Sequence, residues 1–334
     1  MTIYSGAGDF TVTIDPVLTL VCFGIGIVVG LTGMGGGALM TPALVLFFNV
    51  PPLTAVSSDL VASAVMKPVG SFVHLRRGTV HLGLVKWLCL GSVPGAFAGV
   101  LVARALGHGE EIQNVIRLAL GIALLVAAGG LIVRAYIRLV EHARRRDGRA
   151  DPLPQGKPQL TLRPLPTVLV GAIGGLVVGI TSVGSGSLII IALMTLYPSL
   201  KASQLVGTDL VQAVPLVTSA ALGHILFGDF QMPLTLSLLL GSIPGVWLGA
   251  HLSASAPGGV VRRALAFVLL ASALKLLNVS NRDTAILLLL ALTIAPVLWM
   301  LVRRRYGFPA LAPSDRAQRR EREERKRAAD ARRS

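Results

Sequence analysis

The sequence predicts an all-α integral membrane protein, and three observations support this. First, 53% of the residues are hydrophobic and 14% charged, with a mean hydropathy of +0.72. Second, apolar runs of roughly 20 residues, the length of a helix that crosses a ~30 Å hydrocarbon layer, recur between Pro16 and Val302. Third, charged residues cluster at the ends of these runs. We expect about nine apolar segments, because a membrane β-barrel would show short alternating segments instead.

The net charge of +15 is distributed in a way that predicts topology. Residues 134–163 contain eight Lys and Arg, and residues 303–334 contain twelve. One topology places these two regions, Arg76 and Arg262 on a single side of the membrane, which is the cytoplasmic side by the positive-inside rule. The N-terminus is then outside and the C-terminal tail cytoplasmic. Nucleic-acid binding would not require such periodic placement, so we do not expect it.

An internal repeat covers most of the chain. The segment 90–95 (Leu-Gly-Ser-Val-Pro-Gly) with Gly99 recurs at 240–245 (Leu-Gly-Ser-Ile-Pro-Gly) with Gly249. Residues 59–61 (Asp-Leu-Val) recur at 209–211, and the glycine-rich segment 30–37 corresponds to 179–186. The two halves therefore have the same order of segments.

Each half begins with an apolar stretch, 17–48 or 165–198, that is interrupted by Gly and Ser. Two crossings need ~40 residues, so each stretch is predicted to be a re-entrant helical hairpin that returns to the side it entered. Seven crossings are predicted at 53–74, 82–104, 113–138, 204–226, 233–254, 264–279 and 284–302. The resulting organisation is a first repeat (1–140), a hydrophilic cytoplasmic linker (141–164), a second, inverted repeat (165–280), an extra span (281–302) and a basic tail (303–334).

Inverted repeats are typical of secondary transporters, whose binding sites form at helix breaks near the midplane. The two hairpin turns would bring free backbone N–H groups and helix N-termini together, which suits an anion. Packing of small residues between helices is the alternative. The predicted substrate-binding residues are Thr32, Gly33, Gly35, Gly36, Gly37, Thr181, Ser182, Gly184, Ser185 and Ser187.

Four ionisable residues lie within or near apolar spans, where a charge costs at least ~2.5 kcal/mol: Asp59, Lys67, Asp209 and Lys275, the last of which is expected to snorkel to the interface. Asp59 and Asp209 could bind a coupling proton or cation, hold the hairpin backbone, or bond N–H groups near a helix start. Lys67 could attract substrate or pair with Asp59, and the pair is favoured. Pro94 and Pro244 would kink the third span of each half, either for packing or as a gating hinge.

Other chemistries have little support in the sequence. His74 and His224 lack companions at metal-ligand spacing and are interpreted as structural. There is no Walker A motif and no nucleophile and base pair, so we expect neither an enzyme nor a cofactor, and transport energy should come from gradients. The expected partners are a small anionic substrate, the lipid bilayer, a proton or cation as coupling ion, and a second copy in a homodimer.

The hairpins, the helix starts at Asp59 and Asp209, the series Lys67, Gly70, His74 and Gly78, and the duplicated Gly-Ser-x-Pro-Gly-x-x-x-Gly resemble the TauE/SafE family over residues 17–302. This resemblance implies a permease of the bacterial inner membrane that exports sulfite, a sulfonate or another organic anion. By position, the small-residue hairpins of the family correspond to 32–37 and 181–187. Alternating access by rocking of the two halves is the expected mechanism. An anion channel and a structural or assembly subunit are the alternatives.

Overall fold

The computed structural model describes residues 15–32, 36–76, 78, 80–106, 109–146, 161–200, 202–228, 230–252 and 258–308. Gly33, Gly35, most of the linker and the tail beyond residue 308 lie outside these ranges. Eleven α-helices account for nearly all of the described chain: α1 (Pro16–Thr32), α2 (Gly37–Phe47), α3 (Pro52–Arg76), α4 (Leu82–Ala105), α5 (Glu110–Arg146), α6 (Pro164–Thr181), α7 (Leu188–Leu196), α8 (Ala202–Phe227), α9 (Met232–Leu252), α10 (Gly258–Leu276) and α11 (Asn281–Arg305).

The fold class is confirmed: the described chain is helical throughout, and the seven predicted crossings correspond to α3, α4, α5, α8, α9, α10 and α11. Among the described residues, six helices are long and apolar enough to cross a membrane, namely α4, α5, α6, α8, α9 and α11. Helix α3 is the same length as α11 but less apolar, because it carries the polar residues Ser57, Ser58, Asp59 and Lys67, all of them buried.

The chain divides into two compact units. The larger contains residues 1–131 and 156–279, and therefore both hairpins. The smaller contains residues 132–155 and 280–334, of which the C-terminal part of α5 and all of α11 are described. In the smaller unit the hydroxyls of Tyr136 and Tyr306 share a hydrogen bond of 2.8 Å, and Ser280 caps α11 by accepting from Asp283 N.

Helices α4 and α6 pack backbone to backbone along a row of glycines. A Cβ atom on Gly91 would lie 2.0 Å from the carbonyl oxygen of Val168, and one on Gly99 would lie 2.5 Å from that of Leu176. The reciprocal glycines of α6 meet α4 in the same way: a Cβ on Gly175 would lie 2.3 Å from the carbonyl oxygen of Ser92. Only glycine fits at these positions, and because residue numbers increase together, the two helices are parallel.

Helices α1 and α9 form the equivalent contact. A Cβ on Gly241 would lie 2.1 Å from Thr19 O, and one on Gly249 would lie 2.2 Å from Ile27 O. We call these two contacts the α4–α6 and α1–α9 ladders. In each ladder the third span of one half packs against the first hairpin helix of the other half. The repeats are therefore interleaved.

Helix directions follow from the remaining contacts. Ser57 meets His224 and Ser71 meets Leu210, so α3 and α8 are antiparallel. Helix α8 is parallel to α4, because the Ser92 hydroxyl bonds Gln212 and a Cβ on Gly223 would touch Val100. Equivalent helices of the two halves therefore run in opposite directions, as an inverted repeat requires.

The interrupted stretches turn back, as predicted. In the second, the hydroxyl of Tyr197, just after α7, lies 2.6 Å from that of Thr167 in the first turn of α6, so the hairpin ends beside its own start. The first arms contain 17 and 18 residues and the second arms 11 and 9. At 1.5 Å per residue, the first arms are ~26 Å long and the second only ~15 Å. Each hairpin therefore consists of a long first helix and a short second helix.

Candidate functional site

The turns of the two hairpins meet inside the larger unit. A Cβ on Gly37, the first residue of α2, would lie 2.1 Å from Ser182 O, just after α6. Ser182 has φ 58° and Gly184 has φ +130°, so the second turn passes through left-handed backbone that glycine favours. A Cβ on Gly36 would make only ordinary contacts, the nearest at 3.7 Å. The two predicted turns are therefore brought together, with Gly37 in direct contact with Ser182.

The carboxylate of Asp59 joins the two hairpins. Its Oδ2 atom accepts hydrogen bonds from Ser182 Oγ at 2.5 Å and from Thr41 Oγ1 at 3.0 Å. Ser182 belongs to the second hairpin and Thr41 to the first, and all three residues are buried. Asp59 thus holds the hairpins through their hydroxyls rather than through the neighbouring N–H groups considered from the sequence.

The ammonium of Lys67 lies near the middle of α3 and is 8% exposed. Its Nζ atom donates to Ser185 Oγ at 2.7 Å. The favoured ion pair with Asp59 is not formed among the described residues, since each partner bonds a hydroxyl of the second hairpin instead. Asp59 and Asp209 attract the ammonium without a direct ion pair to it among the described residues.

A small cavity opens at this point. It has a volume of about 10 Å³, which is the room one water needs. Both hairpins and α3 contribute to its lining: Gly37, Ala38, Lys67, Ser182, Gly184, Ser185, Gly186 and Ser187.

The second carboxylate bonds a glutamine of its own helix. Asp209 is buried and accepts from Gln212 Nε2 at 3.4 Å, and Gln212 Oε1 accepts from Ser92 Oγ at 3.0 Å. Ser92 is the serine of the first Gly-Ser-x-Pro-Gly motif. Asp209 is therefore connected to α4, whereas its repeat counterpart Asp59 is connected to the hairpins.

His224 has a structural environment. It is fully buried, and its Nε2 atom lies 2.8 Å from Gly179 O, a carbonyl that can only accept. Nε2 therefore carries a proton, and Nδ1 lies 2.8 Å from the Ser57 hydroxyl, which also donates to Leu53 O at 2.8 Å. The imidazole bridges α3 and the end of α6. Its counterpart His74 is half-buried in the last turn of α3.

Several predicted residues lie elsewhere. Pro94 and Pro244 are exposed and do not line the cavity, so any gating role would have to act through helix shape. Thr32 and Thr181 bond carbonyls of their own helices, Val28 O and Val177 O.

Within the described part of the chain, no group of three His, Cys, Asp or Glu residues could hold a metal ion.

Sequence reasoning missed three polar residues of this region, Thr41, Ser57 and Gln212. Each is buried and bonded to a residue that was singled out: Thr41 to Asp59, Ser57 to His224 and Gln212 to Asp209. Gln212 lies three positions after Asp209, and this spacing on a helix was an available signal. No pattern in the sequence distinguishes Ser57 from other serines in membrane helices.

Comparison with known proteins identifies the family of the chain. The family model for the sulfite exporter TauE/SafE matches residues 18–276. The chain belongs to the TauE/SafE family. The match ends with α10, short of residue 302 where the resemblance was expected to stop, so α11 and the tail lie outside it.

Curated relatives are named as transporters. Probable membrane transporter protein YjnA of Bacillus subtilis is 39% identical over 256 residues, covering 76% of this chain and 96% of the relative. Probable membrane transporter protein YdhB of the same organism is 26% identical over 252 residues, covering 74% and 94%. A probable membrane transporter protein of Xylella fastidiosa is 26% identical over 111 residues, covering 33% and 41%. No solved structure matches the chain.

Proposed function

We propose that this protein is a secondary transporter, rather than an enzyme, that carries a small anion, such as sulfite, a sulfonate or another organic anion, by alternating access. The observation that carries the proposal is the meeting of the two hairpin turns at a cavity lined by hydroxyls and one ammonium. The family description, sulfite exporter, and the transporter names of the relatives support the same function.

The chemistry of the cavity favours an anion. Helices α2 and α7 both begin at the turns, so the positive ends of two helix dipoles lie beside it. Lys67 adds a full positive charge, and Ser185 and Ser187 add hydroxyl donors. The cavity is smaller than any sulfur oxyanion, so the surrounding helices must move to admit one. This requirement favours a carrier over a channel, which would need a continuous path.

The ladders suggest which parts move. Direct backbone contact fixes α6 to α4 and α1 to α9, so the sequence-based expectation that each half rocks as a body requires modification. We define bundle A as α1, α2, α3 and α9, and bundle B as α4, α6, α7 and α8. Each contains helices from both halves. Side-chain hydrogen bonds of α3 to α8 and to the second hairpin join the bundles, and we call this set the seam: Ser57 to His224, Asp59 to Ser182, Lys67 to Ser185 and Ser71 to Leu210 O.

Cysteine cross-links test this movement in a background with Cys22 and Cys89 replaced by Ala. A Cβ on Gly228 would lie 2.8 Å from Ser57 Oγ across the seam, and one on Gly223 would lie 3.1 Å from Val100 Cβ within bundle B. Oxidising the Ser57→Cys/Gly228→Cys pair should stop flux, and reduction should restore it. The Val100→Cys/Gly223→Cys pair should transport in both states. Flux through the oxidised seam pair would contradict rocking along this seam.

We propose export as the direction of transport, because the membrane potential favours it. We place the protein in a bacterial inner membrane with its N-terminus outside and its basic tail in the cytoplasm. An inside-negative potential of 100 mV drives a monovalent anion outward with ~2.3 kcal/mol, enough for a roughly fifty-fold gradient. Export of a monoanion therefore needs no coupling ion, whereas uncoupled import would need an inward gradient steeper than this one.

If a proton is coupled, Asp59 and Asp209 are the carriers to test. Flux of Asp59→Asn and of Asp209→Asn should each be compared with flux of the parent between about pH 5.5 and 8. This interval is wide enough for one group to titrate almost completely. Loss of pH dependence in one variant identifies the proton carrier. Unchanged pH dependence in both leaves the carboxylates with the structural contacts described above.

The proposed function as a whole is tested by flux in liposomes. Purified protein is screened by thermal shift with sulfite, methanesulfonate, thiosulfate and acetate, and the anions that stabilise it are loaded into proteoliposomes. Saturable flux that depends on membrane potential is expected. Saturation distinguishes a carrier from a channel, and the absence of flux for every stabilising anion would favour a structural or assembly subunit.

A further inference from the structure

We infer that Lys67 is the residue that selects an anion over a neutral molecule of the same shape, by holding the substrate off-centre, against the second hairpin. This inference rests on the proposed function and deepens it. It starts from the charge of the cavity: of the eight described residues that line it, Lys67 alone is charged.

The ammonium has hydrogen-bonding capacity left over. Lysine has three N–H donors. Lys67 Nζ donates to Ser185 Oγ and has no second acceptor or direct ion pair among the described residues, although its side chain is only 8% exposed. Asp59 and Asp209 attract this cation without bonding it, so its unused N–H donors gain most from a ligand that brings negative oxygen atoms.

The hydroxyls of Ser185 and Ser187 are also hydrogen-bond donors without an acceptor among the described residues. Ser185 Oγ accepts from Lys67, and its own proton has no acceptor in the described chain. Ser187 lines the same cavity, is 9% exposed and has no side-chain hydrogen bond to any described residue. The nearby carboxylate of Asp59 accepts from Thr41 and Ser182 through Oδ2, and neither bond involves Lys67, Ser185 or Ser187. The free positions thus form a donor set that suits a ligand with several acceptor oxygens.

This donor set breaks the two-fold relation between the halves. The position equivalent to Lys67 in the second half is Val217, which is fully buried. Ser185 and Ser187 belong to the second hairpin, and the residue of the first hairpin equivalent to Ser185 is Gly36. The equivalent positions of the other half therefore supply neither this cation nor the Ser185 hydroxyl, and the anion is expected against Lys67 and the second hairpin.

The test compares methanesulfonate with dimethyl sulfone, which has a similar shape and no charge, in competition with a transported anion on purified protein. The parent should prefer methanesulfonate by about tenfold or more, as a charged hydrogen bond implies. Lys67→Met should reduce this preference to nearly one, whereas Lys67→Arg should retain it. A preference that survives in Lys67→Met overturns the inference, even if that variant is less stable.

A repeat swap gives a second, independent readout and controls for folding. Lys67→Val removes the cation, and Lys67→Val/Val217→Lys restores it at the equivalent position of the other half. The double variant should bind the anion more tightly than Lys67→Val yet more weakly than the parent, because the hydroxyls remain on the original side. Equal binding by all three proteins would overturn the inference. Absence of any anion flux in the parent would instead contradict the proposed function.

Discussion

The ladders and the seam differ in the kind of contact that holds helices together. In the α4–α6 ladder, glycines let carbonyl oxygens approach to where a Cβ atom would lie, as at Gly91 and Gly95. In the seam, pairs such as Ser57 and His224 meet through side-chain hydrogen bonds. Backbone contact along a whole helix cannot be exchanged for another arrangement without losing close packing. Hydrogen bonds between side chains can be broken and remade, so the difference distinguishes fixed from movable contacts.

Substitution in a ladder should have the largest effect. Gly91→Ala would place a methyl group 2.0 Å from Val168 O, and backbone cannot move aside as a side chain can. We expect the protein to lose about 3 kcal/mol of stability or more, measured as a fall in melting temperature and in monodisperse yield in detergent. Gly24→Ala is the matched control, because nothing lies within 4 Å of its Cβ position. Equal melting temperatures for the two variants would show that the ladder is not rigid.

Substitution at the meeting point of the turns should have an intermediate effect, mainly on flux. Gly37→Ala forces a methyl against Ser182 O, whereas Gly36→Ala makes ordinary contacts at 3.7 Å and beyond. We expect Gly37→Ala to lower proteoliposome flux by roughly tenfold, equivalent to ~1.4 kcal/mol, and Gly36→Ala to transport nearly as well as the parent. The reverse order would mean that the turns separate before the rate-limiting step.

Removal of single hydroxyls should have the smallest effect on stability and flux. It compares a hydrogen bond across the seam directly with one inside a bundle. Ser57→Ala removes a seam hydrogen bond, and Ser219→Ala removes the bond to Val93 O within bundle B. Each should cost about 1 kcal/mol of stability. Only Ser57→Ala should also change the flux rate, because its bond must break for the bundles to move. An equal change in rate for both variants would remove the distinction between seam and bundle.

The sequence was sufficient to predict the helices, the hairpins and the inverted directions. These follow from local properties: the length of apolar runs, the Gly and Ser interruptions, and charge at helix ends. The region of the site was also predictable, because the interruptions occur at equivalent places in both halves. Gly37, Ser182 and Ser185 are indeed brought together.

The partners of individual residues were not predictable. The sequence suggested pairing of Lys67 with Asp59, but two serines in the second hairpin turn, Ser182 and Ser185, bond these side chains instead. For a similar reason, the sequence did not predict that each ladder joins a helix of one half to a helix of the other half. Glycine spacing shows that a helix packs closely against something, and the identity of the neighbour depends on distant parts of the chain.

Interleaving of the halves also constrains how the protein is made. Helix α4 is synthesised before its ladder partner α6. Helix α1 is synthesised long before its partner α9, which begins 200 residues after α1 ends. Until then, each glycine row has only lipid or a temporary neighbour beside it. The first half is therefore an incomplete intermediate in the bilayer, and a chain that stops after α5 would lack the partners that complete both of its ladders.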